Sequence, residues 1–289
     1  MKTTLMMTLL CCAATGVATS ASAELTYGKA YAKYYDFDGG NSDLTALGGA
    51  IEARTGGLTF SANVLDLDTD LGGGTIASLG GGFELQNGVT LGLDYTDISI
   101  DNDPDNVGIL SAYAQYTFGV YTLGLSAGNS SDLSDTLYSV YGAWDVSPTG
   151  TVGVDVLRVE GETLVAAYAD YDLEQYSLRA DLVRDDGTSY FAVSGGYDLG
   201  NRFTVIGSLG VVDGDAGDLT GVSVGAQYEL AAGVDAELSV GRLDVDGVGN
   251  ANVLSVGLNY EMGRKTSKRR TLGDIAISTM ASAAGLGSF

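Results

Sequence analysis

From Glu24 to Met262 apolar and polar residues alternate over segments of about ten, divided by Gly, Asn and Asp. No apolar run of helix length follows residue 23. A period of two places one set of side chains on each face of an extended strand. A chain of this kind can enter a bilayer only as a closed barrel, where every backbone N–H and C=O finds a partner on a neighbouring strand. Sixteen such segments fit, the first near 24–35, the third near 57–66 and the last near 252–262. In 222–230, Val222, Val224, Ala226, Tyr228 and Leu230 share one face, and Ser223, Gly225, Gln227 and Glu229 the other. The same division separates Val89, Leu91, Leu93 and Tyr95 from Thr90, Gly92 and Asp94.

Alternation alone also fits a soluble β-sandwich. Two features favour the barrel. Aromatic residues gather near strand ends: Tyr116, Phe118 and Tyr121 at one turn, Tyr197 and Phe203 at a second, Tyr228 at a third. Rings at the edges of an apolar band suit a membrane interface. The polar face is small, dominated by Gly, Ser, Thr and Asp, whereas a sandwich core needs bulky inward residues. The connections fall into two classes. After even-numbered strands they are tight, as at Thr55-Gly56, Gln86-Asn87-Gly88 and Ala231-Ala232. After odd-numbered strands they are acidic: 36–43, 66–73, 101–106, 129–135, 213–218 and 244–250. Trp144, Tyr138 and Val140 point outward by parity, toward lipid or a neighbouring subunit.

Residues 1–23 have the form of a secretory leader: Lys2, a short apolar core from Leu5 to Ala14, and Ala21-Ser22-Ala23 before the expected cleavage. Both cysteines, Cys11 and Cys12, lie within it, and a lipid anchor is disfavoured because Leu10 stands where a small residue is needed. After cleavage, 13 basic and 37 acidic residues remain, a net charge of −24 that makes a nucleic-acid partner unsuitable. The chain has no histidine, which removes His-based acid–base catalysis, Ser-His triads and His metal sites. A Ser-Lys or paired-carboxylate centre is not excluded on composition, but no spacing singles one out, and the chain is read as a non-enzyme.

The opening strand, LTYGKAYAKYYDF at 25–37, and the final one, with Ser255, Gly257, Tyr260 and Met262 in the polar-x-Gly-x-x-aromatic-x-apolar pattern, resemble those of Gram-negative general diffusion porins. The strand count matches as well. The resemblance covers 24–262. It implies a transmembrane antiparallel up-and-down β-barrel of 16 strands in the outer membrane, with short periplasmic turns and extracellular loops, lipid and lipopolysaccharide around it, and a homotrimeric assembly. Lys29 carries over as a basic lumen residue. The chain departs from the family in its third loop, where DNDPDN stands in place of a long infolded segment, and in the 27 residues that follow Met262.

A barrel of sixteen strands is wide enough for an aqueous channel. The function implied is passive diffusion of ions and small hydrophilic solutes. Strand parity offers Lys29, Lys33, Asp94, Asp155, Arg179, Asp181, Asp235 and Glu237 as pore-lining residues. Between 24 and 262, 8 basic residues face 36 acidic ones, which predicts cation preference. Asp101, Asp103, Asp105, Asp213, Asp215 and Asp218 form oxygen-rich rim clusters that suit loosely bound Ca2+ or Mg2+ without completing a cage, and no cofactor is expected. The alternatives are a structural or adhesive barrel, or a secreted β-sandwich, without channel activity. The segment 263–289 carries RKTSKRR at 264–270, five of the 13 basic residues of the processed chain. It is either a flexible periplasmic tail or a cationic segment drawn into the acidic lumen.

Overall fold

The computed structural model describes residues 24–277, apart from 39–42, 71, 102–105, 131–135, 160, 215–216, 248, 266 and 272. The leader expected over 1–23 lies outside the described residues, as do Asp103, Asp105 and Asp215. The strands are β1 (Glu24–Phe37), β2 (Asp43–Thr55), β3 (Leu58–Thr69), β4 (Gly72–Glu84), β5 (Val89–Ile100), β6 (Val107–Phe118), β7 (Tyr121–Ser130) and β8 (Leu137–Ser147). They continue as β9 (Gly150–Val159), β10 (Glu162–Asp172), β11 (Tyr176–Arg184), β12 (Thr188–Gly200), β13 (Phe203–Gly214), β14 (Leu219–Ala231), β15 (Val234–Val245) and β16 (Gly249–Gly263). Each pairs antiparallel with the next, and β1 closes on β16 from Tyr27↔Gly263 to Phe37↔Val253. The closed ring overturns the sandwich alternative and leaves no free sheet edge.

The outer face is apolar and uncovered. Leu79 is 62 % exposed, Val140 66 % and Val224 56 %. A soluble monomer rarely leaves a contiguous apolar surface above a few hundred Å² in water, whereas hydrocarbon covers such a belt at no cost. Along the rim of tight turns the rings form chains. Tyr116, Phe118, Tyr121 and Trp144 follow one another at centroid distances of 5.4, 5.6 and 6.2 Å. Tyr176–Tyr197 and Phe203–Tyr228 each lie 4.8 Å apart. These strands are transmembrane, with an aromatic girdle at the turn rim.

Hairpin chemistry sets the two rims. At the β12–β13 turn Asn201 (φ 55°) and Arg202 (φ 70°) are both left-handed, the geometry of a two-residue turn whose twist matches the strands. On the opposite rim the acidic segments are shorter as loops than their composition suggests. The segment 66–73 is strand on both sides of a turn at Asp70, with Asp66↔Thr75, Leu67↔Gly74 and Asp68↔Gly73 in register. Gly72 to Gly74 offer no side chains to part the strands, and the Thr75 hydroxyl donates to Asp66 Oδ1 at 2.6 Å. Pairing therefore outruns the acidic composition. At the β1–β16 seam the amide and side chain of Asn252 donate to Asp38, holding its carboxyl below the usual carboxylate range.

Large inward side chains are accommodated by glycines on the adjacent strand. Tyr31 faces Gly48, Tyr113 faces Gly92, Tyr141 faces Gly124 and Tyr168 faces Gly153, each a direct cross-strand pair. A Cβ at Gly124 would sit 2.2 Å from the Tyr141 ring, and one at Gly153 2.3 Å from that of Tyr168. Each ring lies flat over the bare backbone of its neighbour. This is one use of the 43 glycines and 17 tyrosines in the chain.

Candidate functional site: the barrel interior and the C-terminal segment

Of the two readings of the tail, the structure places its described residues, 264–265, 267–271 and 273–277, inside the barrel. The chain leaves β16 at Gly263, in the left-handed region at φ 69°. The Arg264 side chain donates to the Pro148 carbonyl at the β8–β9 turn, half the ring away in strand order. The segment then meets strands far apart in the ring. The Ser267 amide donates to Glu52 of β2 at 3.0 Å. Lys268 Nζ lies 2.8 Å from Asp145 of β8 and 3.2 Å from the Thr151 hydroxyl of β9. The Tyr168 hydroxyl of β10 donates to the Lys268 carbonyl at 2.8 Å. Arg269 pairs with Asp94 of β5, and Arg270 with Asp181 of β11 at 2.6 Å.

Three of the four tyrosines that lie over glycines, Tyr113, Tyr141 and Tyr168, form the bed for these cations. The Arg269 guanidinium stands 4.2 Å from the Tyr113 ring centroid and 5.9 Å from that of Tyr141. Arg270 stands 5.2 Å from that of Tyr168. In a partly desolvated place such cation–π contacts are worth about 1–2 kcal/mol each. Burial lowers the Arg269 pKa to about 10, opposed by Asp274, so its charge persists at neutral pH.

Residues 273–277 form one helical turn whose start is encoded locally. The Thr271 hydroxyl accepts from the Asp274 amide at 3.0 Å, and the Thr271 amide donates to Asp274 Oδ2 at 2.8 Å. This is the reciprocal capping arrangement of a Thr followed three residues later by an acid. Asn63 of β3 donates to Asp274 Oδ1 at 2.7 Å, and Lys265 lies 3.3 Å from it. Ile275 closes the segment by packing with Leu157, Ala166, Val183, Tyr190 and Ala192 from β9 to β12.

Asp274 carries a pH dependence. Burial pushes its carboxyl up, but Lys265, the Thr271 amide and Arg270 together outweigh this and bring it down to about 2. A depressed acid stabilises the folded form above its unfolded pKa, and that contribution disappears as pH falls through the folded value. The turn is therefore expected to lose on the order of 2 kcal/mol between pH 4 and 2. A fluorophore on Ser267→Cys should show falling anisotropy over that interval. D274N should already be low at pH 7, and a flat wild-type curve contradicts the assignment.

A cavity of about 350 Å³ lies in the interior against β10–β16 and β1. Its wall carries Lys29, Lys33, Arg179 and Arg242 opposite Asp170, Asp172, Glu237 and Glu261. Lys33 and Glu237, 6 % and 7 % exposed, pair at 3.1 Å, and Gln227 and Asn259 also donate to Glu237. Lys29 stands 3.7 Å from Glu261, and Arg179 3.4 Å from Asp181. Hydroxyls pair across strands at Ser208–Ser223 and Ser239–Ser255, both at 2.6 Å.

Thus Lys29, Lys33, Arg179 and Glu237 border the cavity, Asp94 and Asp181 hold the tail, and Asp155 lies beneath Arg269 and Arg270 beside a small void. Asp235 is opposite Asn259, nearer the turn rim. Glu52, Asp145, Asp170, Arg242 and the three tyrosines were not singled out by sequence. Strand parity extended to β2, β6, β8 and β10 reaches most of them, and the spacing of Thr271 and Asp274 announces the capped turn. At the acidic rim, Asp101 and Asp218 are held by backbone bonds to Gly73 and Asp246, and Asp213 pairs with Ser189 on β12. Among the described residues no three acidic groups converge as a metal site.

Solved structures share this architecture. The porin of Rhodopseudomonas blastica, solved as a triple mutant, is 17% identical, with 83% of this chain aligned to all of that one at a TM-score of 0.49. A second mutant of the same porin gives the same values. Pseudomonas aeruginosa OccK3 is 12% identical, over 82% of this chain and 95% of that one, at a TM-score of 0.51. No protein-family model and no curated protein matches the sequence. The likeness to OccK3 is one of fold, and the fold of this chain is a closed sixteen-stranded barrel of the porin type.

Proposed function

We propose that this protein is an outer-membrane channel of a Gram-negative bacterium, through which ions and small hydrophilic solutes diffuse passively, with cations preferred. One observation carries the reading: a closed barrel turns an apolar face outward and a charged, hydroxyl-lined cavity inward. No bond need be made or broken, so the absence of histidine costs such a protein nothing. Lys29, Lys33, Asp94, Asp155, Arg179, Asp181, Asp235 and Glu237 are proposed to set the lumen field directly or through their partners. The excess of acid over base in 24–262 supports the cation preference, because carboxylates at a mouth concentrate counter-ions before they enter.

The acidic loops suit a solvated rim facing lipopolysaccharide, with Ca2+ or Mg2+ bridging anionic groups on both sides. The family resemblance favours a homotrimer, for which Trp144 and Tyr138 offer exposed outward surface.

The purified protein in a planar bilayer under a tenfold KCl gradient should pass current and reverse at a cation-selective potential. An anion-selective sign overturns the preference. Heat-modifiable, correctly inserted protein without conductance replaces the channel with the structural or adhesive barrel.

A further inference from the structure

We infer that residues 264–277 are a resident plug that narrows the channel and weakens its cation selectivity, a proposal that rests on the channel reading above. The tail binds the wall from β2 to β12 through Glu52, Asp94, Asp145 and Asp181, with Ile275 buried at its end. These anchors come from strands far apart in the ring, so the segment spans the bore and does not merely line one hairpin. The open cavity runs from β10 round to β16 and β1, so it overlaps the tail's contacts at β10 to β12 and extends over β13 to β16, where the described residues of the tail make no wall ion pair. The tail meets β1 at its root, where the Arg264 amide donates to the Thr26 carbonyl at 3.1 Å, and turns away from there toward the opposite wall. Solutes are thereby confined to a lane beside Lys33, Arg242, Glu237 and the paired serines.

Charge makes the plug a determinant of selectivity as well as of bore. Lys268, Arg269 and Arg270 each face a wall carboxylate. While seated, they cancel much of the field that those carboxylates would exert on a passing ion. The Arg269 and Arg270 pairs are buried, where screening by salt is weak, and the Lys268 pair is half-buried. Removing Arg269 or Lys268 leaves Asp94 or Asp145 without its tail cation, whereas Asp181 keeps Arg179 at 3.4 Å. The tail is therefore expected to stay seated at ordinary ionic strength, and its removal should both widen the path and return bare carboxylates to it.

Three proteins test this. Truncation after Gly263 should raise single-channel conductance roughly twofold and make the potassium-over-chloride ratio several times larger, since the bore widens and gains unpaired acids. K268Q/R269Q/R270Q retains the full chain length and so guards against an assembly defect in the truncation. It should shift the reversal potential in the same direction. S78C/G273C joins positions where the built Cβ of Gly273 lies 3.3 Å from Ser78 Cβ, close to disulfide spacing. The bond should form on oxidation and leave wild-type conductance unchanged. Conductance and selectivity equal to wild type in the truncation and the neutral tail, or a cysteine pair that fails to link, overturn the plug. Silence from both wild type and truncation, each inserted and heat-modifiable, overturns the channel and the plug with it. The two failures are distinguished by whether current flows at all.

Discussion

Replacing Val224 by arginine is expected to destabilise the barrel by about 2–4 kcal/mol, whereas arginine at the adjacent Ser223 leaves it assembled. The two positions are neighbours in β14 and point to opposite sides of the wall. Val224 is 56 % exposed on the apolar face, and Ser223 borders the interior cavity. A guanidinium at the middle of the hydrocarbon must be partly desolvated or drag water inward. At Ser223 it meets an aqueous lane, and the change forfeits only the hydroxyl contact with Ser208, at 2.6 Å, worth about 1 kcal/mol. Denaturant titration in lipid vesicles reads the difference. The Ser223 variant should remain heat-modifiable and conduct less, because the longer side chain enters the cavity. Equal stability losses at the two sites contradict a lipid-covered exterior, and with it the orientation on which the channel depends.

Gly124→Val should have the second large effect, a loss of about 1–3 kcal/mol from overpacking. The new Cβ would sit 2.2 Å from the Tyr141 ring, which is 3 % exposed and has little room to withdraw. Moving the ring also disturbs its hydroxyl bond to Gln115, at 3.1 Å, and the bed beneath Arg269. Tyr141→Ala should lower stability alone but recover part of the Gly124→Val loss in the double variant, because the clash needs both partners. A strictly additive cycle by equilibrium unfolding shows that ring and glycine do not interlock. The consequence extends beyond the pair: the same ring that requires a glycine on β7 supports a tail cation, so wall packing and tail seating are coupled.

The barrel was legible because its signals are short in range. Alternation reports which face a residue takes. The Asn and Gly residues of the tight turns mark where the chain reverses, and rings near strand ends mark the interface. All sixteen strands follow from these cues, and Val224, Leu91 and Leu93 lie outside as their parity requires. Boundaries moved where pairing outlasted composition. β3 runs on to Thr69 because the extended Gly72 and Gly73 opposite it continue the ladder, and β16 begins at Gly249 because β15 stays paired with it as far as Val245. The interior was legible one strand at a time. Lys33 and Glu237 could each be assigned to the lumen, but their pairing at 3.1 Å joins residues 204 apart in the chain and appears only once β1 closes beside β16 and β15.

The tail marks the limit. Its basic run and the acidic lumen made attraction a sound expectation, yet charge is a long-range and unspecific force, and a flexible tail satisfied the same composition. Glu52, Asp94, Asp145 and Asp181 come from four strands scattered around the ring, and only its curvature brings them within reach of one short segment. The amino-acid sequence by itself determined the period, the strand count, the two rims and the face each residue takes, because these depend on neighbours along the chain. Tertiary structure alone decided which acid meets which cation, which glycine receives which ring and which side of the bore stays open, because those contacts exist only after the ring has closed and fixed the distances across it.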